Sequence, residues 1–262
     1  MKKQVLFKFR PVETVEQLIR VIDSINKNRM FFPNYKNLND PLESSGVLIN
    51  LSGYAGKSII EAADDEDSIV HNIRNEYRIL ALTENCFSPI MWAHYANGYK
   101  GVCIGYWKSD TFSSAQKIEY IEKQQCAKNA DKNGCVDDND DLELAVCDSF
   151  FYKHSAWSYE KEWRIVRKQD DHYFNYNSSD LACIVFGHNL DKEIRDFLIS
   201  SIKEKVNVPM YRTQIGYRSF GINLLPIDYE MEMDGSEPPY IRDVDTLREN
   251  IIGAENNYYA TI

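Results

Sequence analysis

Hydrophobic positions along the chain recur with periods that predict both strands and helices. Gln4 to Phe9 is typical of a strand, and Thr14-Val-Glu-Gln17 has the form of a capping box before an amphipathic helix. A second amphipathic helix is predicted from the apolar positions between Leu190 and Ile202. Short apolar runs predict further strands at residues 30–32, 78–83, 101–106, 150–152, 160–166, 181–186, 208–212 and 222–225.

Two segments lack this periodicity, one inside the predicted domain and one after it. Residues 122–147 are polar and acidic with almost nothing to bury, so we expect a mobile insertion. Residues 228–262 form an acidic, weakly periodic C-terminal tail. Elsewhere in the chain, residues 57–76 are expected to form a solvated helix. The pattern therefore predicts one α+β domain over residues 1–227, with helices flanking a mixed, mostly antiparallel sheet.

Composition narrows the classes of partner. The chain has 262 residues, 44% of them hydrophobic, and a net charge of −10, which supplies a sizeable core but disfavours non-specific attraction to nucleic acid or anionic membranes. No apolar run approaches the roughly 20 residues that cross a bilayer, and the start of the chain lacks the apolar core of a signal peptide. We therefore expect a cytoplasmic protein with no membrane partner and no strong nucleic-acid signal.

Several common chemistries lose their sequence support. The six cysteines are scattered without a C-x-x-C pair, and neither P-loop, Rossmann, nucleophile-elbow nor H-E-x-x-H motifs occur. The run Asp137-Asp-Asn-Asp-Asp141 begins like a calcium loop, but Leu142 stands where the tight turn requires glycine. No dedicated metal site is therefore predicted from motifs.

The segment PIMWAHYANGYKGVCIGY, residues 89–106, concentrates polar rings. Ser88 and Pro89 fit the start of a two-turn helix over residues 89–96, and Gly98 fits its left-handed end. Helical spacing places His94 and Tyr95 with Met91 on one face, beside Trp92. Two interpretations stay open: core aromatics with a structural histidine, or a cleft in which His94 and Tyr95 offer a stacking face and polar tips to a ligand.

Charged residues form two further constellations. In a strand beginning near Glu160, alternation places Glu160, Glu162 and Arg164 on one face, while Trp163 and Ile165 belong to the core. A solvated face with an ion pair and a functional carboxylate pair are both compatible with that pattern. The third constellation joins two segments and consists of Lys8, Arg10, Asn39, Asp40 and Glu43.

The segments LFKFR, NLNDPLE, MWAHYANGYKGVCIGY and WSYEKEWRIV occur in an order and at spacings that resemble the bacterial family catalogued as domain of unknown function 2971. The resemblance implies a shared fold and a shared site built from these segments, without an established reaction. This chain departs from the family pattern at Leu38, where an aromatic residue normally precedes Asn-Asp-Pro.

A looser similarity links the chain to ADP-ribosyltransferases, which use a split antiparallel sheet and a Glu-x-Glu strand. It implies NAD as a substrate, Glu162 as the catalytic carboxylate, Arg10 as a phosphate clamp, and Tyr95 or Trp92 as a stacking surface. The catalytic candidates are Glu162, His94 and Glu160. The candidates for binding the cofactor are Lys8, Arg10, Trp92, Tyr95 and Arg164.

Two other functions remain open. A hydrolase or nuclease would use His94 as general base with Glu43 or Glu162, and Asp40 with Glu43 would bind a divalent cation. A non-catalytic sensor would bind a nucleotide-like ligand or a partner protein through the same cleft. Each hypothesis expects the segments to converge in space.

Overall fold

The computed structural model describes residues 3–40, 47–49, 69–126, 139–203, 206–216, 221–229 and 237–259. The helices are α1 Val15–Asn26, α2 including residues 69–75, α3 Pro89–Tyr95, α4 Asn139–Ser149, α5 Lys192–Lys203 and α6 Val244–Tyr259. The strands are β1 Val5–Arg10, β2 Arg29–Phe31, β3 Val47–Leu48, β4 Tyr77–Thr83, β5 Val102–Trp107, β6 Gln116–Lys117, β7 Glu119–Ile121, β8 Gln125–Cys126, β9 Tyr152–His154, β10 Glu162–Lys168, β11 Tyr173–Asn175, β12 Leu181–Phe186, β13 Met210–Ile215 and β14 Ile222–Pro226.

The first of two compact units contains the described parts of residues 1–30, 82–114 and 175–262. Its strand order is β14-β13-β12-β5-β1, followed by the last two residues of β4, and every pair is antiparallel except β12 with β13. The capping box predicted for α1 is present, since Thr14 accepts from the Gln17 backbone N–H and the Gln17 side chain accepts from the Thr14 N–H. This unit therefore presents β1 between two neighbouring strands.

The second unit contains the described parts of residues 31–81 and 115–174, with the strand order β4-β10-β6. Two small parallel pairs, β3 with β8 and β7 with β9, accompany it. Its core gathers apolar side chains from β4, β7, β9, α2 and α4, with Leu142 and Phe150 fully buried among them.

Helix α4 corrects the sequence-based interpretation of residues 122–147. Residues 139–147 belong to a helix, and its Leu142, Ala145 and Val146 are fully buried, so three apolar positions suffice to anchor an otherwise acidic segment. Residues 127–138 of that segment lie outside the described residues, as do residues 57–68 of the predicted solvated helix. In the acidic tail, α6 buries Leu247 and Ile251, which its weak periodicity did not indicate.

The large mixed, mostly antiparallel sheet with its helices confirms the predicted α+β class. The chain passes between the two units several times, and the predicted domain bounds, 1–227 and 228–262, stay a prediction. Among the described residues, no helix combines the length and apolar character needed to cross a membrane.

Candidate functional site

The end of β1 in the first unit carries the predicted cations Lys8 and Arg10. Side chains alternate along a strand, so Lys8 and Arg10 lie on the face opposite to Phe7 and Phe9. Both cations are half-buried, whereas Phe7 and Phe9 are buried. The antiparallel register with β5 places Arg10 opposite Val102.

Arg10 is a half-buried guanidinium without an anionic partner in the described part of the chain. Its only hydrogen bond there runs from Nη2 to the Met30 thioether sulfur at 3.7 Å, and it makes no ion pair with a described carboxylate. Burial lowers the pKa of Arg10, and nearby Tyr106 opposes that effect while Arg20 adds to it. Because arginine keeps its charge at neutral pH, a positive charge is held here with little compensation.

A glycine lets the turn after α3 approach this strand end. A Cβ on Gly101 would lie 2.2 Å from the Arg10 carbonyl oxygen and 3.1 Å from the Ala96 Cα. Only a residue without a side chain fits such a contact between two backbones. The backbone at Arg10 is thereby held in close contact with Gly101, which directly precedes β5.

Helix α3 forms as the sequence predicted, but one of its predicted ligand-binding rings is a core residue. Ser88 caps the helix through the Met91 N–H, and Gly98 has a positive φ of 61°. Trp92 is fully buried, donates its indole N–H to the Cys86 carbonyl at 2.8 Å, and meets the Phe9 ring edge-on at 5.1 Å. The expectation that Trp92 offers a stacking face to a ligand is therefore wrong.

The other two rings of α3 remain accessible. His94 is exposed and Tyr95 is half-buried, and their ring centroids are 6.3 Å apart. Since Trp92 packs on Phe9, α3 contacts the face of β1 opposite to the Arg10 side chain. The structure therefore places Trp92 apart from Arg10, and the roles of His94 and Tyr95 stay predictions.

The second unit brings together four buried charged residues, three of which the sequence singled out. Arg164 binds Glu162 through Nε to Oε1 at 2.6 Å and Nη2 to Oε2 at 3.1 Å. Lys153 Nζ lies 3.0 Å from Glu162 Oε2 and 2.7 Å from Glu160 Oε2. All four residues are at most 6% exposed, so the solvated face considered from the sequence is wrong.

Further contacts fix this cluster, which we call the buried ion cluster (Lys153, Glu160, Glu162 and Arg164). Arg164 also donates from Nη1 to the Phe150 carbonyl at 2.7 Å, and Tyr120 Oη accepts from the Glu162 N–H at 2.8 Å. The Lys153 ammonium lies 5.0 Å from the centre of the half-buried Trp157 ring. The two cations balance the two carboxylates, as a buried ionic network requires.

The electrostatics of Glu162 limit its chemistry. Burial by itself raises the pKa of a carboxyl, but Arg164 and then Lys153 outweigh it and lower the pKa of Glu162 to about 2. At neutral pH this carboxylate is ionised and cannot serve as a general base, which needs a pKa near the working pH. It accepts hydrogen bonds on both oxygens.

The chain reaches this arrangement by a local conformation that alternation does not predict. Glu160 ends a 3-10 helix, Ser155–Glu160, rather than opening a strand, and Lys161 has a left-handed backbone with φ 45° before β10 begins. The prediction of a strand at Glu160 is therefore wrong, although Glu162 and Arg164 do share one face. Trp163, predicted as a core residue, is only half-buried, whereas Ile165 is fully buried as expected.

Sequence reasoning missed Lys153 and Tyr120. Lys153 lies in the middle of the short β9, where its ammonium is paired with Glu160, at the end of the 3-10 helix, and with Glu162, at the start of β10. A lysine inside a strand-like run shortly before Glu-x-Glu is the signal that would have indicated it.

The remaining candidates gain little support. Asp40 is buried at 7% exposure and Asn39 is exposed, both after a short 3-10 helix at Tyr35–Asn37, while Glu43 lies outside the described residues. Within the described ranges, no group of three or more His, Cys, Asp or Glu side chains is placed to hold a metal. The expected convergence of all candidates on one cleft stays a prediction.

Comparison with known proteins bears on the segments that carry these residues. Residues 91–165 match the family model described as "Protein of unknown function (DUF2971)". That range contains α3 from Met91 onward, β5 and the buried ion cluster, and it confirms the family resemblance seen in MWAHYANGYKGVCIGY and EKEWR. No match was found among curated proteins or among solved structures.

Proposed function

We propose that this chain, a member of the DUF2971 family by its matched segment, is a binding module for a phosphate-containing ligand of the nucleotide class, with NAD as the specific candidate. The observation that carries the proposal is Arg10, a half-buried guanidinium whose only hydrogen bond within the described residues is to a thioether. A charge in that setting is costly unless an anion compensates it.

A phosphate suits Arg10 because the planar guanidinium presents paired N–H donors that match two phosphate oxygens. Lys8 lies two residues earlier on the same strand face, roughly 7 Å along the strand. Two cations at that spacing can engage two neighbouring phosphates of a diphosphate. In a chain of net charge −10, this pair is a local exception to the overall repulsion of anions.

Binding is better supported than ADP-ribosyl transfer. The transferase hypothesis requires a carboxylate that stays ionised at neutral pH, and Glu162 meets that requirement. It also requires a carboxylate that a ligand can reach, whereas the Glu162 side chain is 5% exposed and occupied by Arg164 and Lys153. No described residue supplies an observation that favours the metal-dependent hydrolase.

The proposal is tested by thermal melting in the presence of NAD, ADP, inorganic pyrophosphate and inorganic phosphate, because a ligand specific for the native state raises the melting temperature. We expect NAD and ADP to stabilise the wild type, and Arg10→Gln to lose that shift. Arg10→Lys keeps the positive charge but loses the paired N–H donors of the guanidinium, so it should retain a smaller shift in melting temperature.

Arg29→Gln is the matched control, because Arg29 is a half-buried arginine of the same unit whose charge Asp23 already compensates at 2.8 Å. It should bind the ligands as the wild type does. An equal shift in wild type and Arg10→Gln, or no shift with any of the four compounds, would overturn the proposal.

A further inference from the structure

Helix α1 carries an apolar face that is wider than the part the protein covers. Val21 and Ile25 are buried, as expected for an amphipathic helix on a sheet. Val15 and Ile19, one turn apart on the adjoining strip of the same face, are 73% and 57% exposed. These are strongly exposed β-branched side chains on a helix that is otherwise well packed.

Helix α5, which lies beside α1, carries a further exposed apolar side chain. Asn26 Nδ2 of α1 donates to the Ser201 carbonyl of α5 at 3.0 Å, which joins the two helices side by side. By helical spacing, Asn26 lies on the strip of Val15 and Ile19, and Phe197 lies one turn before Ser201. Phe197 is 54% exposed, although its neighbour Leu198 is buried.

The charges around these residues are balanced in sign. Glu16 and Arg20 pair on α1, Asp23 and Lys27 pair at its end, and Lys192 and Asp196 pair on α5. Asp23 also pairs with Arg29, and Asp196 with Arg195. Over residues 13–29 and 191–203, which include both helices, six Lys or Arg stand against six Asp or Glu. We define the α1/α5 surface by Val15, Ile19 and Phe197. The rest of a chain with net charge −10 repels a second copy, so a locally neutral border is where two copies can approach.

We infer that the α1/α5 surface is a self-association interface that docks a second copy of this chain. A two-fold axis brings the same patch of both copies together, so the patch must be complementary to itself. An apolar centre is self-complementary, and a border carrying both signs lets Glu16 of one copy meet Arg20 of the second copy. A strongly basic or acidic partner would find no net charge of opposite sign at this border.

The first test is sedimentation velocity over a wide concentration range. We expect the wild type to show a species of twice the 30.5 kDa chain mass whose fraction grows with concentration. Ile19→Glu and Phe197→Glu should stay monomeric while keeping the wild-type circular dichroism spectrum. Leu144→Glu is the control, because Leu144 is a 59% exposed leucine on α4, and it should dimerise as the wild type does.

The second test uses the charged border. Glu16→Arg makes the α1 pair doubly positive and Arg20→Glu makes it doubly negative, so each variant alone should be monomeric. An equimolar mixture of the two variants should recover the dimer. A monomeric wild type at every concentration, dimers of Ile19→Glu and Phe197→Glu, or a mixture that stays monomeric would each overturn the inference.

Discussion

Arg164 donates two hydrogen bonds to the Glu162 carboxylate, from Nε at 2.6 Å and from Nη2 at 3.1 Å, and both side chains are buried. Removing one partner of a buried pair leaves the other charge uncompensated, at a cost of about 3–5 kcal/mol. We therefore expect Arg164→Met to lower the free energy of unfolding by that amount in urea titrations.

Lys168, on the same strand, provides the control for the stability that Arg164→Met loses. Lys168 pairs with Glu76 and Glu143, each at 2.9 Å, but its side chain is 50% exposed, so Lys168→Met should cost much less stability than Arg164→Met. The double variant Arg164→Met/Glu162→Gln should lose less than the sum of its single variants, because the two residues interact. Equal losses for Arg164→Met and Lys168→Met would contradict a stabilising role for the buried ion cluster.

The pH dependence of stability should report Glu162 directly. Its pKa falls from the ordinary value of 4.5 to about 2 on folding, so its contribution is present above about pH 4.5 and is lost as the pH falls toward 2. The contribution amounts to roughly 3 kcal/mol. The difference in unfolding free energy between wild type and Glu162→Gln should stay constant from neutral pH to about 5 and then shrink. A difference that already shrinks between neutral pH and 5 would show that Glu162 is not held ionised.

Lys161 has a left-handed backbone, with φ 45°, between the two buried carboxylates. Left-handed conformations cost most L-residues about 1–2 kcal/mol, and asparagine tolerates them better. We expect Lys161→Asn to raise the free energy of unfolding by about 0.5 kcal/mol and the β-branched Lys161→Val to lower it. Chemical denaturation of the two variants checks the order, and a more stable Lys161→Val would contradict the backbone argument.

Local patterns predicted the regular elements better than they predicted the buried charges. The capping box at Thr14, the Ser88 cap of α3 and the bounds of β12 follow from a few adjacent residues, and the structure shows all three. The burial of Glu160, Glu162 and Arg164 depends on Lys153, whose approach is set by the pairing of β7 with β9. Alternation along one strand says which residues share a face but not whether that face meets water.

The candidate ligand site was likewise predicted only in part from the sequence. The sequence indicated Lys8 and Arg10 at a strand end, and the structure places both on one half-buried face. The sequence could not predict that Trp92 is buried in the core against Phe9, because a buried ring and a ligand-stacking ring have the same spacing on a short helix.

Gly101 holds the turn after α3 against the end of β1. An added Cβ would meet the Arg10 carbonyl oxygen at 2.2 Å, and backbone atoms cannot move aside as a flexible side chain can. We expect Gly101→Ala to lower the free energy of unfolding by about 2 kcal/mol. Gly253→Ala, in the helix α6 with open space around it, should instead raise it by roughly 0.5–1 kcal/mol. Thermal and chemical unfolding of both variants measures the contrast, and a wild-type-like Gly101→Ala would contradict the close approach.

The most direct test of ligand binding at Arg10 is isothermal titration of ADP into the wild type, Arg10→Gln and Arg29→Gln. A charge-assisted bidentate contact contributes about 1.5–3 kcal/mol, so Arg10→Gln should weaken binding by roughly 10- to 150-fold. Arg29→Gln should keep the wild-type affinity, since Asp23 already occupies that guanidinium. Equal affinity of wild type and Arg10→Gln for ADP, or no heat of binding in any of the three proteins, would contradict an anion site at Arg10.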